Sequence, residues 1–209
     1  MKRLVYGVAL NDSTEPVEKY TNELQPDGSV KKKRVWSCPF YRRWLSMIKR
    51  CYSPVYHEEK PTYRDVTCCE EWLTFSNFKR WMEQQDWEDK ELDKDIIGDG
   101  KLYSPYTCAF VNKTTNTFLN TCAKSRGEWP LGVSYEATTK KFKASCSNPF
   151  SGKRELLGRF DTAKEAHDAW RKRKHELAQL LAKTESDERV SAALHVKYSV
   201  PHSGICIDK

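Results

Sequence analysis

Between Gly132 and Ala182 the apolar pattern changes period, and that change restricts the fold more than any other feature of the chain. Phe142, Ala144 and Cys146 alternate with Lys141, Lys143 and Ser145. A period of two puts apolar groups on one face of a strand and cations on the other. Residues 131–135 and 154–160 read as strands on either side, and Asn148-Pro149-Phe150-Ser151-Gly152 carries strong turn chemistry. Thr162 then stands three residues before Glu165, a capping box. The helix it opens runs to about Ala182, with Ala166, Ala169, Trp170, Arg173, Leu177 and Leu180 along one stripe. Three antiparallel strands packed on one helix make a small, self-sufficient module.

Upstream, Tyr41, Trp44, Leu45, Ile48 and Cys51 recur at steps of three and four, predicting a helix that starts near Pro39 and stops at Ser53-Pro54. An irregular segment over 55–67 holds Tyr56, His57 and Tyr63, and a second helix is expected over 75–84. Residues 4–9 read as a strand and Pro26-Asp27-Gly28-Ser29 as a turn. Lys31, Lys32, Lys33 and Arg34 follow. The run reads as a phosphate-contacting strand, a solvated edge that discourages sheet aggregation, or a nuclear address. Residues 90–120 fit two strands, a turn at Asp99-Gly100 and a short helix. The class expected is α+β, divided into a strand-rich lead-in (1–35), a central unit (36–125), the sheet-and-helix module (127–183) and a loosely held or extended tail (184–209).

Composition narrows the function classes. The 36 basic and 29 acidic residues leave a formal charge of +7, compatible with a polyanionic partner and also with ordinary solubility. Eight cysteines include no CxxC pair, and the opening Met-Lys-Arg-Leu-Val-Tyr-Gly has no apolar stretch of the kind that precedes secretion. Buried free thiols are therefore expected. A zinc site would need Cys51, Cys68 and Cys108 to converge with His57. No apolar run approaches the roughly 20 residues of a membrane span, so a soluble cytoplasmic protein is expected.

The outward positions of the three-stranded module, Lys141, Lys143 and Ser145 with Ser134, Arg154 and Arg159, suit phosphate and base-edge contacts in a major groove. A solvated sheet face is the other reading. Gly132-Val133, Lys141-Phe142-Lys143-Ala144 and Leu157-Gly158-Arg159-Phe160-Asp161-Thr162-Ala163-Lys164-Glu165-Ala166 resemble the APETALA-type DNA-binding domain over about residues 131–182. The resemblance implies a sheet lying in the major groove with the helix supporting it from behind. Where that family has an Arg- and Trp-rich first strand, this chain has Ser134, Tyr135 and Glu136.

Leu92-Asp93-Lys94-Asp95, the Asp99-Gly100 turn, Tyr103-Ser104-Pro105 and Asn116 resemble the HNH (His-Me finger) motif. With Tyr41-Arg42-Arg43-Trp44, Arg50-Cys51-Tyr52 and Cys69-Glu70-Glu71-Trp72, residues 36–120 resemble the central region of phage-encoded HNH homing-endonuclease-like proteins. The implied central unit is a degenerate ββα-metal fold. In that frame Asp93 and Asn116 would hold Mg²⁺ or Mn²⁺ on a scissile phosphate, and Lys94 stands where the catalytic histidine belongs. A free lysine titrates at about 10.4, which suits gripping a phosphate better than accepting a proton. His57 is the candidate base, and an exposed loop histidine is its bland reading. Asp93 and Asn116 also read as ordinary caps. The resemblance thus implies a double-stranded DNA-binding protein of the bacterial host cytoplasm, with metal-dependent nicking or cleavage open. The alternative is an inactive nuclease scaffold that binds and inhibits a host protein.

Overall fold

The computed structural model describes residues 4–120 and 128–199. The chain is α+β and forms two compact units, one ending at Phe110 and the other beginning at Val111.

In the first unit β1 (Glu18–Leu24) and β2 (Val30–Ser37) form an antiparallel ribbon, paired from Leu24 opposite Val30 to Glu18 opposite Ser37 with a register shift between Lys19 and Tyr20. Asp27 closes its turn by accepting the Ser29 amide at 2.9 Å. The ribbon is solvent-exposed along nearly its whole length. The lead-in before it is not the strand expected over 4–9. Val5 and Ala9 pair across a tight turn in which Tyr6 and Gly7 take positive φ, a conformation incompatible with continuous extended chain.

Helix α1 (Pro39–Tyr52) starts with Pro at its first turn and ends with Lys49 and Arg50 near its carbonyl terminus, where cations complement the dipole. It buries Tyr41, Trp44, Met47, Ile48 and Cys51. Ser53 ends α1 and caps the next helix, α2 (Pro54–Glu59), by accepting the Tyr56 amide at 3.3 Å. A 3-10 turn over Pro61–Tyr63 follows, so much of the segment expected to be irregular is helical. Local capping by Ser53 and Pro54 explains the difference. β3 (Thr67–Cys68) runs parallel to β5 (Leu102–Tyr103), and β4 (Lys90–Asp93) pairs with β6 (Ala109–Asn112), the strand in which this unit ends.

α3 (Phe75–Met82) lays Phe75, Phe78 and Met82 against α1 and the 3-10 turn Glu70–Leu73. Trp44 donates its indole N–H to the Trp72 carbonyl at 2.7 Å, so this fully buried ring brings its polar atom into the core satisfied. Trp72 and Phe78 meet edge to face at 5.1 Å.

The second unit opens with α4 (Lys113–Leu119) and contains the sheet β7–β8–β9: Val133–Glu136, Lys141–Ser147 and Arg154–Phe160, all antiparallel. Thr162 and Glu165 form the capping box that starts α5 (Ala163–Ala182). This helix buries Ala166, Trp170, Leu177, Ala178 and Leu181, and Ala144 and Cys146 are buried on the sheet. At Gly132 the backbone has φ of +78° and runs so close to Trp170 that only glycine fits. The segment expected as a loosely held tail contains α6 (Glu188–Val196), capped by Asp187 and packed on α5 through buried Val190 and Leu194. Two apolar residues four apart were enough to dock a nine-residue helix.

Among the described residues no helix is long and apolar enough to cross a membrane.

Candidate nucleic-acid interface

Three groups of basic side chains emerge, two in the first unit and one in the second. The first is the ribbon. Lys33 pairs with Glu23 at 2.9 Å and Arg34 with Glu18 at 2.7 Å. Lys31 and Lys32 have no carboxylate partner among the described residues and project from an exposed strand.

The second group surrounds Lys94, which is buried with only 6% of its surface exposed. Its Nζ donates to Asp95 Oδ1 at 2.8 Å and lies 5.4 Å from the Tyr63 ring centre and 5.7 Å from that of Tyr103. Arg50 donates to the Tyr103 hydroxyl at 3.3 Å. His57, on α2 rather than in a loop, bonds the Arg50 carbonyl through Nε2 at 2.8 Å. A carbonyl only accepts, so Nε2 carries the proton in that bond and Nδ1 keeps the lone pair. His57, Arg50, Tyr103 and Lys94 are thus linked in sequence: two cations on one phenol, steadied by a histidine. Burial pushes the Tyr103 phenol up, with Arg50 pulling the other way.

Asp93 sits beside this cluster and is also buried. Its Oδ1 accepts the amides of Asp95 at 2.9 Å and Ile96 at 2.8 Å, the geometry of a turn cap. Burial lifts its carboxyl above the usual range, against the pull of the Ile96 amide. Asn116, its expected co-ligand, belongs to α4 in the second unit. Among the described residues no group of three or more His, Cys, Asp or Glu is placed to hold a metal ion. Cys51 and Cys108 are buried free thiols whose burial pushes them up to about 12, and Cys68 is raised for the same reason.

The third group lies on the face of the β7–β8–β9 sheet opposite α5. Ser134, Lys143 and Arg159 face one another across the three strands. Arg154 donates to Ser145 Oγ at 2.8 Å; Ser145, expected to face outward, is instead buried with 6% of its surface exposed and serves to hold Arg154. Arg159 is held by Glu136 through two bonds, 2.6 and 3.2 Å, and Lys141 by Asp161 at 2.6 Å. The Arg159 guanidinium and the Thr139 hydroxyl hold the Glu136 carboxyl down at about 2. Lys143 has no carboxylate hydrogen-bonded to it among the described residues, although it lies close enough to Glu136 to help lower it. Tyr135 turns to the other face, 5.2 Å from the Phe142 ring and 6.2 Å from that of Trp129. Of the first strand, Ser134 and Glu136 therefore share the face of the basic side chains.

Sequence reasoning quoted Arg50 and Tyr103 within the motif resemblance and Tyr63 within an irregular segment, but gave none of them a role at the site. Arg50 did carry a signal, as the residue of α1 beside the buried stripe at Cys51. The convergence of Tyr63 and Tyr103 on Lys94 joins residues 40 apart in sequence and had none. No protein-family model, curated protein or solved structure matches the chain.

Proposed function

We propose that the chain is a double-stranded DNA-binding protein of the phage HNH homing-endonuclease-like type, acting in the bacterial cytoplasm. Its central unit is read as a degenerate ββα-metal fold and its second sheet as an APETALA-type DNA-binding domain. The observation that carries the reading is the outer sheet face: Lys141, Lys143, Arg154 and Arg159 gathered with Ser134, buried Ser145 holding Arg154 from beneath, while α5 covers the other side. A three-stranded sheet of this form presents a rigid surface to a major groove, cations to phosphates and Arg or Ser to base edges. The exposed ribbon adds Lys31 and Lys32 as phosphate contacts, with Lys33 and Arg34 tied into the hairpin that presents them.

The Lys94 cluster supports phosphate binding over hydrolysis. An ammonium has three donors and no lone pair, so Lys94, buried and ion-paired to Asp95, fits a supporting cation at a phosphate site and not a base. Asp93 Oδ1 is already engaged by two amides, which favours the capping role. Asp93 and Asn116 would have to act together on Mg²⁺ or Mn²⁺ for nicking to occur, with His57 Nδ1 as the group able to take a proton.

The test is fluorescence anisotropy on a labelled duplex, with Lys143→Ala and Arg154→Ala variants. Supercoiled plasmid is incubated in parallel with Mg²⁺, Mn²⁺ or EDTA. The reading expects duplex binding weakened by both substitutions. Equal binding by wild type and both variants would remove the sheet from the interface. Metal-dependent nicks abolished by Asn116→Ala would restore catalysis to the central unit.

A further inference from the structure

The second unit contains a cleft of about 800 Å³ between α4, α5 and the far ends of β8 and β9. Its wall includes the rings of Trp170, Phe118 and Tyr198 and the cations Lys113 and Arg154. Lys174 lies in it, half-buried among aromatic rings. Among the described residues it has no carboxylate partner. Its Nζ donates to the Phe118 carbonyl at 2.6 Å and sits 3.3 Å from the centre of the Phe118 ring. One of its three donors meets a carbonyl, and the rest of the amine faces the Phe118 ring and, at 5.7 Å, that of Tyr198, with no anion beside it among the described residues. Arg154, which lines the cleft and is held by Ser145, also stands on the outer face of the sheet. The cleft therefore adjoins the proposed DNA-binding surface within one unit.

We propose that Lys174 is an amine nucleophile that forms an imine with a phosphate-bearing aldehyde, and that the aldehyde is the open-chain deoxyribose of an abasic site in duplex DNA. The substrate assignment rests on the DNA-binding reading. The neutral Nζ attacks the C1′ carbonyl carbon, forming a C–N bond as the C=O π pair moves to oxygen. Proton transfer from nitrogen to that oxygen gives the carbinolamine. The carbinolamine hydroxyl takes a proton from solvent and the nitrogen lone pair expels it as water, and loss of the last N–H proton returns that proton and leaves the neutral imine. One water is released and no oxidant or reductant is consumed. Arg154 and Lys113 line the same cleft and supply the cations that phosphates flanking the sugar would need, and a sugar lacking its base is the nucleotide least costly to extrude from a stack.

Burial pushes the Lys174 ammonium down to about 8, with Cys146 acting weakly the other way. At pH 7.5 about a quarter of the amine would be neutral, against about one part in a thousand for an ordinary lysine. The titratable and charged groups that share the cleft are Lys113 of α4, Cys146 of β8, Arg154 of β9 and Tyr198.

The experiment incubates the full chain with a duplex carrying one abasic site and reduces with sodium cyanoborohydride. The covalent adduct is quantified on a denaturing gel and its peptide mapped. The expected adduct maps to Lys174, forms faster as pH rises through about 8, and falls at least about tenfold in Lys174→Met and Lys174→Arg. Circular dichroism and retardation of an intact duplex show that the variants fold and still bind. A second arm replaces DNA by free pyridoxal 5′-phosphate, whose reduced adduct reports on the amine alone. Abasic adduct undiminished in both variants overturns the assignment. Bound duplex without adduct, alongside labelling of Lys174 by the free aldehyde, overturns the DNA substrate and keeps the nucleophile. No labelling of Lys174 in either arm overturns the proposal whether or not DNA is bound.

Discussion

Gly132→Ala tests the packing that holds α5 to its sheet, and the structure fixes what it should cost. The residue has φ of +78°, where a side chain costs roughly 1–2 kcal/mol. An added methyl would collide with Cδ1 and Cγ of Trp170 and stand 2.6 Å from its Nε1. The indole has little room to retreat, since it is only 8% exposed and stacks on His167 at 5.3 Å. Overpacking of this kind costs about 1–3 kcal/mol. The two terms together predict destabilisation of about 2–5 kcal/mol. A double-mutant cycle separates them: in a Trp170→Ala background the collision is gone, and Gly132→Ala should cost only the backbone part, roughly 1–2 kcal/mol. Urea unfolding followed by circular dichroism reads all four proteins. A Gly132→Ala cost within about 0.5 kcal/mol of zero, or strict additivity in the cycle, would refute the close-approach argument.

Gly100→Ala should disturb the Lys94 cluster, because φ there is +80° and an added methyl would strike Asp95 Oδ1, the partner of Lys94; lower thermal stability with loss of phosphate affinity is expected, and an unchanged melting temperature would count against it. Asp93→Asn keeps an oxygen for the Asp95 and Ile96 amides while removing a buried charge. Because burial raises the folded-state pKa of Asp93, its stability contribution is fully present below the ordinary carboxylate range and is lost as pH rises through the raised value. The variant should therefore melt higher than wild type at neutral pH and match it below about pH 4; a lower melting point at neutral pH would contradict this. Glu136→Gln frees Arg159 and removes an anion from the outer sheet face, so duplex affinity measured by anisotropy should rise; a fall would show that Glu136 positions Arg159 for binding.

The sheet-and-helix module was legible in the sequence because its signals are local. Alternation of Lys141 to Cys146 and the Thr162–Glu165 box each act within a few residues. The ion pairs on its outer face were not: Glu136 and Arg159 are 23 residues apart, and composition alone does not show that half of the face's cations are already answered by carboxylates. In the central unit the apolar stripes predicted α1 and α3, but α2 depends on Ser53 serving as the end of one helix and the cap of the next. The two readings of Asp93, cap and metal ligand, share one residue pattern, and only the bonds to its Oδ1 show the cap formed. Lys174 drew no reading from the sequence, because the Phe118 and Tyr198 rings that surround it lie far from it along the chain.

Salt dependence of duplex binding is the most direct measurement of the central claim. Lys141, Lys143, Arg154 and Arg159 each displace about 0.9 counterion if they reach phosphates, so the slope of log affinity against log salt should be at least about −3. Lys143→Ala should make it shallower by about 0.9. Absence of duplex binding at low salt, or a slope near zero that Lys143→Ala leaves unchanged, would contradict the account.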